Sequence, residues 1–410
     1  MYNKIQRCRL CGNYDLKVVV DLGEHFLTGI FPKGKDMEIT KGPLTLAFCR
    51  ECHLLQLLHT YNLNELYGEN YGYRSGLNRS MVDHLKSKVD SLLQIVTLFE
   101  GDIILDIGSN DGTTLSFYNE GHNLLVGFDP TEKFSHYYRK DIVLIKDFFS
   151  AQRFHKEIGR TKKAKIITSI AMFYDLEEPL EFMRQIETIL AEDGIWHFEQ
   201  SYMPFMLQAN AYDTICHEHL EYYALEQIKW MTERAGLKII NVEFNDINGG
   251  SFAVTVAKQN AIYPECNRLI QEILEEEKLM GLNTLAPYQT FQENIFQHRD
   301  ELLSALNQIK EEGKVIYGYG ASTKGNVVLQ FCGIDESLIP GIVEVNEDKF
   351  GCFTPGTYIP IISEHEVKKK LPDYYLVLPW HFRENFISRE KEYLKNGGKM
   401  LFPLPKIEIV

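Results

Sequence analysis

Ile103-Ile104-Leu105-Asp106-Ile107-Gly108-Ser109-Asn110-Asp111-Gly112 is an apolar run of strand length that ends in an acid and a glycine turn. A strand apolar on both faces belongs inside a parallel sheet covered by helices on each side. The carboxyl end of such a strand is where open α/β sheets bind ligands, and glycine there lets backbone approach a ligand closely. The spacing is Gly108-x-x-x-Gly112, not the Gly-x-Gly-x-x-Gly of a dinucleotide pyrophosphate, which argues against a nicotinamide oxidoreductase. The next apolar run, 123–128, ends at Asp129, and an acid in that place can accept both hydroxyls of a ribose. Asp106, Gly108, Ser109, Asn110, Gly112 and Asp129 thus outline an acidic turn that suits a positively charged nucleoside better than a diphosphate. S-adenosylmethionine is such a ligand. Asp147 and Phe148, after the third run, would hold adenine by hydrogen bond and ring face, although Phe148 fits a core position equally well.

Outward from this turn the chain alternates strands and helices. Residues 143–145, 165–170 and 194–199 read as further strands, with a helix over 179–191. Ahead of them, Met81, Leu85, Val89, Leu92 and Val96 recur at helical spacing and predict a helix over 77–98. Runs 237–244 and 251–256 are separated by a short Asn-Asp-Ile-Asn-Gly-Gly turn, so they are expected as antiparallel neighbours. Amphipathic helices over 265–280 and 291–312 then lead into a second αβ series, with strands near 315–319, 341–345, 374–378 and 399–402. The two halves share an architecture but no sequence period. A chain of 410 residues suits roughly two to four domains. The reading is three: 1–75, 76–256 and 257–410.

The first of these opens on Cys8-Arg9-Leu10-Cys11 and closes near Cys49-Arg50-Glu51-Cys52. Each Cys-x-x-Cys presents two sulfurs, and two such knuckles complete a closed tetrahedral zinc site. Iron is the other metal that four thiolates suit. A closed site has no open position, so the metal is expected to be structural. Short β-like runs at 17–20 and 44–48 lie between the knuckles. Cys216, Cys266, Cys332 and Cys352 show no pairing pattern and read as ordinary reduced thiols. A formal charge of -14 argues against nucleic acid as a partner. No apolar run is long enough for a bilayer, and the first residues lack the apolar core of a signal peptide. With free thiols, the expected compartment is a reducing cytoplasm.

Candidate chemistry sits in Tyr212-Asp213-Thr214-Ile215-Cys216-His217-Glu218-His219, which follows the fifth strand and so lies over the ligand end of the sheet. His217-x-His219 could ligate a metal, but extended backbone would point both rings one way and Glu218 the other, and no His-Glu-x-x-His accompanies it. Proton transfer is the more economical role, since histidine titrates near neutrality and a neighbouring carboxylate raises its basicity.

Cys8, Cys11, Cys49 and Cys52, then Tyr71-Gly72-Tyr73-Arg74-Ser75, the turn from Asp106 to Gly112, Thr214 to His219, and Gly318-Tyr319-Gly320-Ala321-Ser322-Thr323-Lys324 resemble, in the same order, the three-domain sugar C-methyltransferases. The resemblance runs through nearly the whole chain. It implies an α/β protein: a small zinc-binding N-terminal domain, a central Rossmann-like class I methyltransferase domain that binds S-adenosylmethionine, and a C-terminal Rossmann-like αβ domain that helps hold a nucleotide sugar. It implies methylation at carbon 3 of a 4-keto-6-deoxyhexose on a nucleoside diphosphate, usually a thymidine one. In that scheme His219 removes the proton, Glu218 orients or polarises His219, and Tyr73, with Tyr71 as the less favoured choice, donates to the oxyanion. Ser169 joins the cofactor contacts, and Tyr71, Ser75 and Tyr174 the substrate contacts.

Two departures stand out. Many relatives carry tyrosine where this chain has Cys216, and many carry histidine within the segment Ser169-Ile170-Ala171-Met172-Phe173-Tyr174. Tyr174 can replace that donor and Phe173 cannot. The reaction class survives these changes, while the sugar, its stereochemistry and its nucleotide stay open. Ser322, Thr323 and Lys324 at a helix start would hold the diphosphate, or the turn is an inherited glycine loop. Asn248 would touch the sugar, or belongs to a plain hairpin turn; Trp380 and His381 would line the base pocket. An oxygen or nitrogen methyltransferase, and a zinc-knuckle adaptor that only binds nucleotide, are the competing readings.

Overall fold

Apolar strands with no polar face need cover on both sides, and Ile103–Ile107 is buried at every residue. The computed structural model, which describes residues 2–67, 71–368 and 372–410, places it inside a seven-stranded sheet. Across that sheet the order is Leu237–Asn245, Ser251–Lys258, Leu190–Ser201, Ala164–Ile170, Ile103–Ile107, Leu124–Phe128 and Ile142–Ile145. Ser251–Lys258 runs antiparallel to both neighbours and the other pairings are parallel. Strand order reverses between Ile103–Ile107 and Ala164–Ile170, so the ligand crevice opens at their carboxyl ends.

One face of this sheet packs on Val89, Leu92 and Val96 with Ile104, Leu125, Ile166 and Ile195. These residues lie in or just after helix Arg79–Ile95, whose Asn78 side chain caps it by accepting Ser80 N–H at 3.0 Å. The other face belongs to one apolar cluster that reaches from Cys8 to Leu404. The expected helix and the antiparallel pair are therefore where the periodicity put them.

The N-terminal sheet holds the first surprise. Its order is Glu221–Tyr222, Leu55–Leu57, Lys41–Cys49, Leu16–Phe26, so a strand from the middle of the chain completes the metal module. Two residues carry no alternation, and sequence periodicity could not flag them. The C-terminal sheet runs Ile361–Ser363, Ile342–Glu344, Ile316–Tyr319, Tyr374–Val377, Lys399–Phe402 and Glu408–Ile409, parallel except for the last pair. Its strand order also reverses, beside Ile316–Tyr319, as in other open α/β sheets. No helix of the described residues is long and apolar enough to cross a membrane.

Contacts between the modules are specific. Asn326 donates to Thr28 O at 2.7 Å, and Gln330 exchanges two hydrogen bonds with the backbone of Phe26. Glu277, from helix Asn267–Leu279, accepts Tyr202 OH and the amides of Leu225 and Glu226. That carboxylate satisfies the open amino end of helix Leu225–Arg234, as an anion there should.

Candidate active site

Left-handed backbone at Gly108 (φ 73°), Asn110 (φ 52°) and Gly112 (φ 76°) folds the glycine turn back over the sheet edge. The amides of Gly108 and Ser109 both donate to Phe128 O, and Asn110 N–H reaches Asp129 Oδ2 at 2.7 Å. Thr131 N–H takes the other Asp129 oxygen at 2.8 Å. Asp129 thereby ties the first two strands together and keeps a lone pair on each oxygen. Asp106 accepts Thr168 Oγ1 at 2.5 Å, and burial, with Asp129 and Asp111 adding, pushes its carboxyl up to about 7. Around this turn the guanidinium of Arg74, 3.8 Å from Asp111, is the cation in contact. Three carboxyl groups around one turn fit a ligand that carries positive charge, as a sulfonium does. Phe148 is exposed and its amide donates to Asp147 Oδ1 at 2.9 Å.

The charge argument has a measurable consequence. A cation favours ionised Asp106, so affinity for S-adenosylmethionine should rise as pH increases through about 7. The thioether product S-adenosylhomocysteine lacks that charge and should give a flatter profile in calorimetric titrations. Equal slopes for the two ligands would remove Asp106 from this role.

Tyr71, Tyr73 and Ser75 meet the same turn from the N-terminal side. Ser75 N–H donates to Asn110 Oδ1 at 2.9 Å, Gly76 N–H to Asp111 Oδ2 at 2.9 Å, and Asn110 Nδ2 to Tyr73 O at 3.1 Å. A Cβ on Gly76 would lie 2.6 Å from Asp111 Oδ2, which explains the glycine after the motif. Tyr73 is 46 % exposed, and desolvation by the surrounding cleft pushes its phenol up to about 12, so it remains a donor. Burial, then Asp175, raises the Tyr71 phenol well above its ordinary value, and its ring lies 5.5 Å from Tyr67, whose hydroxyl donates to Asp175 at 2.7 Å.

His219 Nδ1 lies 2.8 Å from Thr214 O. A carbonyl only accepts, so Nδ1 carries the proton and Nε2 keeps its lone pair. The Tyr174 ring is 4.3 Å from the imidazole, and both line a small cavity with Met203, Met206 and Tyr222. Desolvation, and after it the charge of Lys324, pushes His219 down to about 3, which keeps the ring neutral. Glu218 points elsewhere. Its Oε1 presses on Gly29, where a Cβ would sit 2.3 Å away, and its buried Oε2 has no partner. Burial raises this carboxyl, and it raises the neighbouring Cys216 thiol well above its usual value. Cys216 is wholly buried and neutral here. His217 is also wholly buried, edge-on to Tyr61 at 4.6 Å, and belongs to the packing.

The C-terminal domain closes the cleft. Lys324 Nζ donates to Asn248 O at 2.6 Å, and Trp380 Nε1 donates to Asp213 Oδ2 at 2.7 Å. Lys324 also lowers His381, after desolvation, so the two sit in one environment with Asp213 and His219. Thr323 Oγ1 lies 3.7 Å from where a Cβ on Gly29 would sit. Ser322 Oγ accepts Gly325 N–H at 3.0 Å as a helix cap and keeps its O–H to donate. Two expected contacts need correction. Ser169 is wholly buried and its Oγ accepts Trp196 Nε1 at 3.1 Å, so it is a core residue. Ser109 Oγ bonds Tyr138 OH at 2.7 Å beneath the turn, which leaves only its backbone near a ligand. Gly29 was not foreseen, because nothing beside it in the chain marks it; Asp213, inside the stretch 212–219, and Asp175, next to Tyr174, were given no role.

The four cysteine sulfurs lie within 4.8 Å of one another, with Cys8–Cys52 and Cys11–Cys49 each at 3.5 Å. Zn–S bonds of about 2.3 Å make a tetrahedron with edges of about 3.8 Å. The donor set fits zinc, and Gln56 Nε2, 3.1 Å from Cys8 Sγ, supplies a hydrogen bond to a ligand sulfur.

Comparison with known proteins bears on these sites. Three family models match in succession: a zinc binding domain over residues 8–67, a methyltransferase domain over 78–242 and a C-methyltransferase C-terminal domain over 246–405. The C-methyltransferase NovU of Streptomyces niveus is 30% identical over 409 residues, which is 99% of this chain and 97% of that protein. Solved S-adenosylmethionine-dependent methyltransferases from Clostridium acetobutylicum (10% identity, 43% of this chain and 92% of that one, TM-score 0.35) and Mesorhizobium loti (12%, 43% and 99%, TM-score 0.34) are also similar. The cofactors are S-adenosylmethionine, for the central domain, and zinc, for the four cysteines. With zinc-binding, methyltransferase and C-terminal domains all present and a full-length C-methyltransferase relative, the chain belongs to the C-methyltransferase family.

Proposed function

We propose that the protein methylates carbon 3 of a 4-keto-6-deoxyhexose carried on a nucleoside diphosphate, a thymidine one by the family's habit, as a step in branched deoxysugar synthesis. The observation that carries this reading is the tautomer of His219, whose Nδ1–H is tied to Thr214 O and whose Nε2 is left as a base. A C–H bond beside a ketone is acidic enough for a positioned base when the enolate oxygen is stabilised. In this reading Nε2 takes the proton from carbon 3, Tyr73 donates to the enolate oxygen, and Tyr174 holds the imidazole plane. Lys324 faces the substrate phosphates; neutralising its charge restores basicity to His219, which that charge helps depress. S-adenosylmethionine, when bound, supplies an electrophilic methyl whose C–S bond breaks as the carbon–carbon bond forms. Glu218, whose carboxyl burial raises and whose Oε2 is open, holds a sugar hydroxyl in this reading. The proposed compartment is the cytoplasm, where free thiols and a thiolate zinc site are stable.

Incubation of purified protein with S-adenosylmethionine and a thymidine diphospho-4-keto-6-deoxyhexose tests the proposal. Carbon NMR of the product should place the methyl on ring carbon 3. A methyl on oxygen, or on nitrogen of an amino sugar, would replace this reading with the competing transferase.

A further inference from the structure

Resting on His219 as the base, we infer that the zinc knuckles position it, through Gln56, Arg9, Glu221 and Gln227 acting as positioning residues. Residues 220–222 are the edge of the metal module's own sheet. Glu221 pairs with Gln56 and Tyr222 with Leu55, while Leu57 N–H donates to Leu220 O at 2.8 Å. Gln56 is wholly buried and does two further things: Nε2 lies 3.1 Å from Cys8 Sγ, and Oε1 accepts Arg9 N–H at 3.0 Å.

Arg9 lies between the first two ligand cysteines. Its guanidinium donates to Leu57 O, to His59 O at 3.3 Å and to Thr60 Oγ1 at 2.9 Å. Its Nε is 3.7 Å from Glu221 Oε1, with side chains 3% and 0% exposed. A buried ion pair is weak evidence for stability, but it tolerates little displacement, because moving one partner leaves the other charged and dry. The second knuckle grips the far side. Gln227 Nε2 donates to Cys52 O at 3.1 Å while its Oε1 accepts Ala224 N–H at 3.0 Å, and His53 meets Glu226 at 3.2 Å. Residues 220–227 are thus stitched to both knuckles, and His219 is the residue just before the stitched segment. From the upstream side the ring is held by Thr214 O and by the Tyr174 ring 4.3 Å away, and Leu220 N–H donates to Tyr174 O at 2.8 Å. The glycine turn, by contrast, is bonded to Phe128, Asp129 and residues 73–76, none of them in the knuckles.

The metal should therefore govern proton removal and not cofactor binding. The test uses the full chain, zinc-loaded and chelator-treated, with hydrogen–deuterium exchange of backbone amides read by mass spectrometry and S-adenosylmethionine binding by calorimetry. Zinc removal should deprotect peptides spanning 214–224 together with the knuckles, while strand 103–107 stays protected and cofactor affinity stays within about twofold. Readdition of zinc should restore protection. The double variant Arg9→Met/Glu221→Leu, an apolar replacement of similar volume, should keep its zinc and its cofactor affinity but lower kcat about tenfold or more at constant KM. Protection of 214–224 that survives zinc loss, uniform deprotection of the whole chain, or a double variant with wild-type kcat would each overturn the inference. If instead 214–224 depends on zinc but His219→Ala still enolises the substrate, the linkage stands and the base assignment fails.

Discussion

His219→Ala is expected to lose exchange of the carbon 3 hydrogen with deuterated solvent by about 10²–10⁴-fold while S-adenosylmethionine still binds. The asymmetry follows from geometry. His219 lines the cavity beside Tyr174 and keeps its lone pair on Nε2, whereas the glycine turn is held by Phe128, Asp129 and Ser75. Desolvation and Lys324 hold His219 down to about 3 in the free protein. The ring is therefore already deprotonated across ordinary assay conditions. With cofactor saturating, kcat/KM for the sugar should lack the acid limb near about 6.5 that an unperturbed imidazole gives. Undiminished exchange in His219→Ala would sink the mechanism, and an acid limb near that value would sink its electrostatics.

Gly29→Ala is the second large effect, and it comes from the metal module, far from Glu218 along the chain. The added methyl would lie 2.3 Å from Glu218 Oε1, far inside contact distance. The obstructing atom is the end of a flexible side chain, so the fold yields by swinging the carboxylate away rather than by unfolding. Misplacing a reacting or orienting group by about 1 Å costs up to about 10²-fold in rate. A loss of kcat of that order is expected, with the thermal midpoint moved only slightly. In the Glu218→Ala background the same substitution should cost little more, since the clash has gone. Wild-type turnover in Gly29→Ala would mean that the position of Glu218 does not matter.

Much of this protein was legible in its residues, for a physical reason. The strand Ile103–Ile107, the helix Arg79–Ile95 and the pair Leu237–Asn245 and Ser251–Lys258 declare themselves through neighbours one to four positions apart. Two Cys-x-x-Cys pairs state a tetrahedral metal in the same local way, and the sulfurs do converge. Side-chain roles were less legible. Ser169 and Ser109 look like ligand contacts by position, yet Trp196 and Tyr138 claim their hydroxyls. A hydroxyl has many potential partners, and packing decides which one it meets.

What the chain alone determined is the order of its parts: a thiolate metal module, an acidic glycine turn on a parallel sheet, a glutamate–histidine pair, and a second αβ half. What only the tertiary structure decided is the convergence of parts far apart in sequence. Gly29 meets Glu218, Arg9 meets Glu221 across the sheet edge, and Lys324 meets Asn248. Periodicity and spacing record what a residue does to its near neighbours along the backbone. Contacts between modules are set by how buried faces close on one another, and no local pattern encodes that.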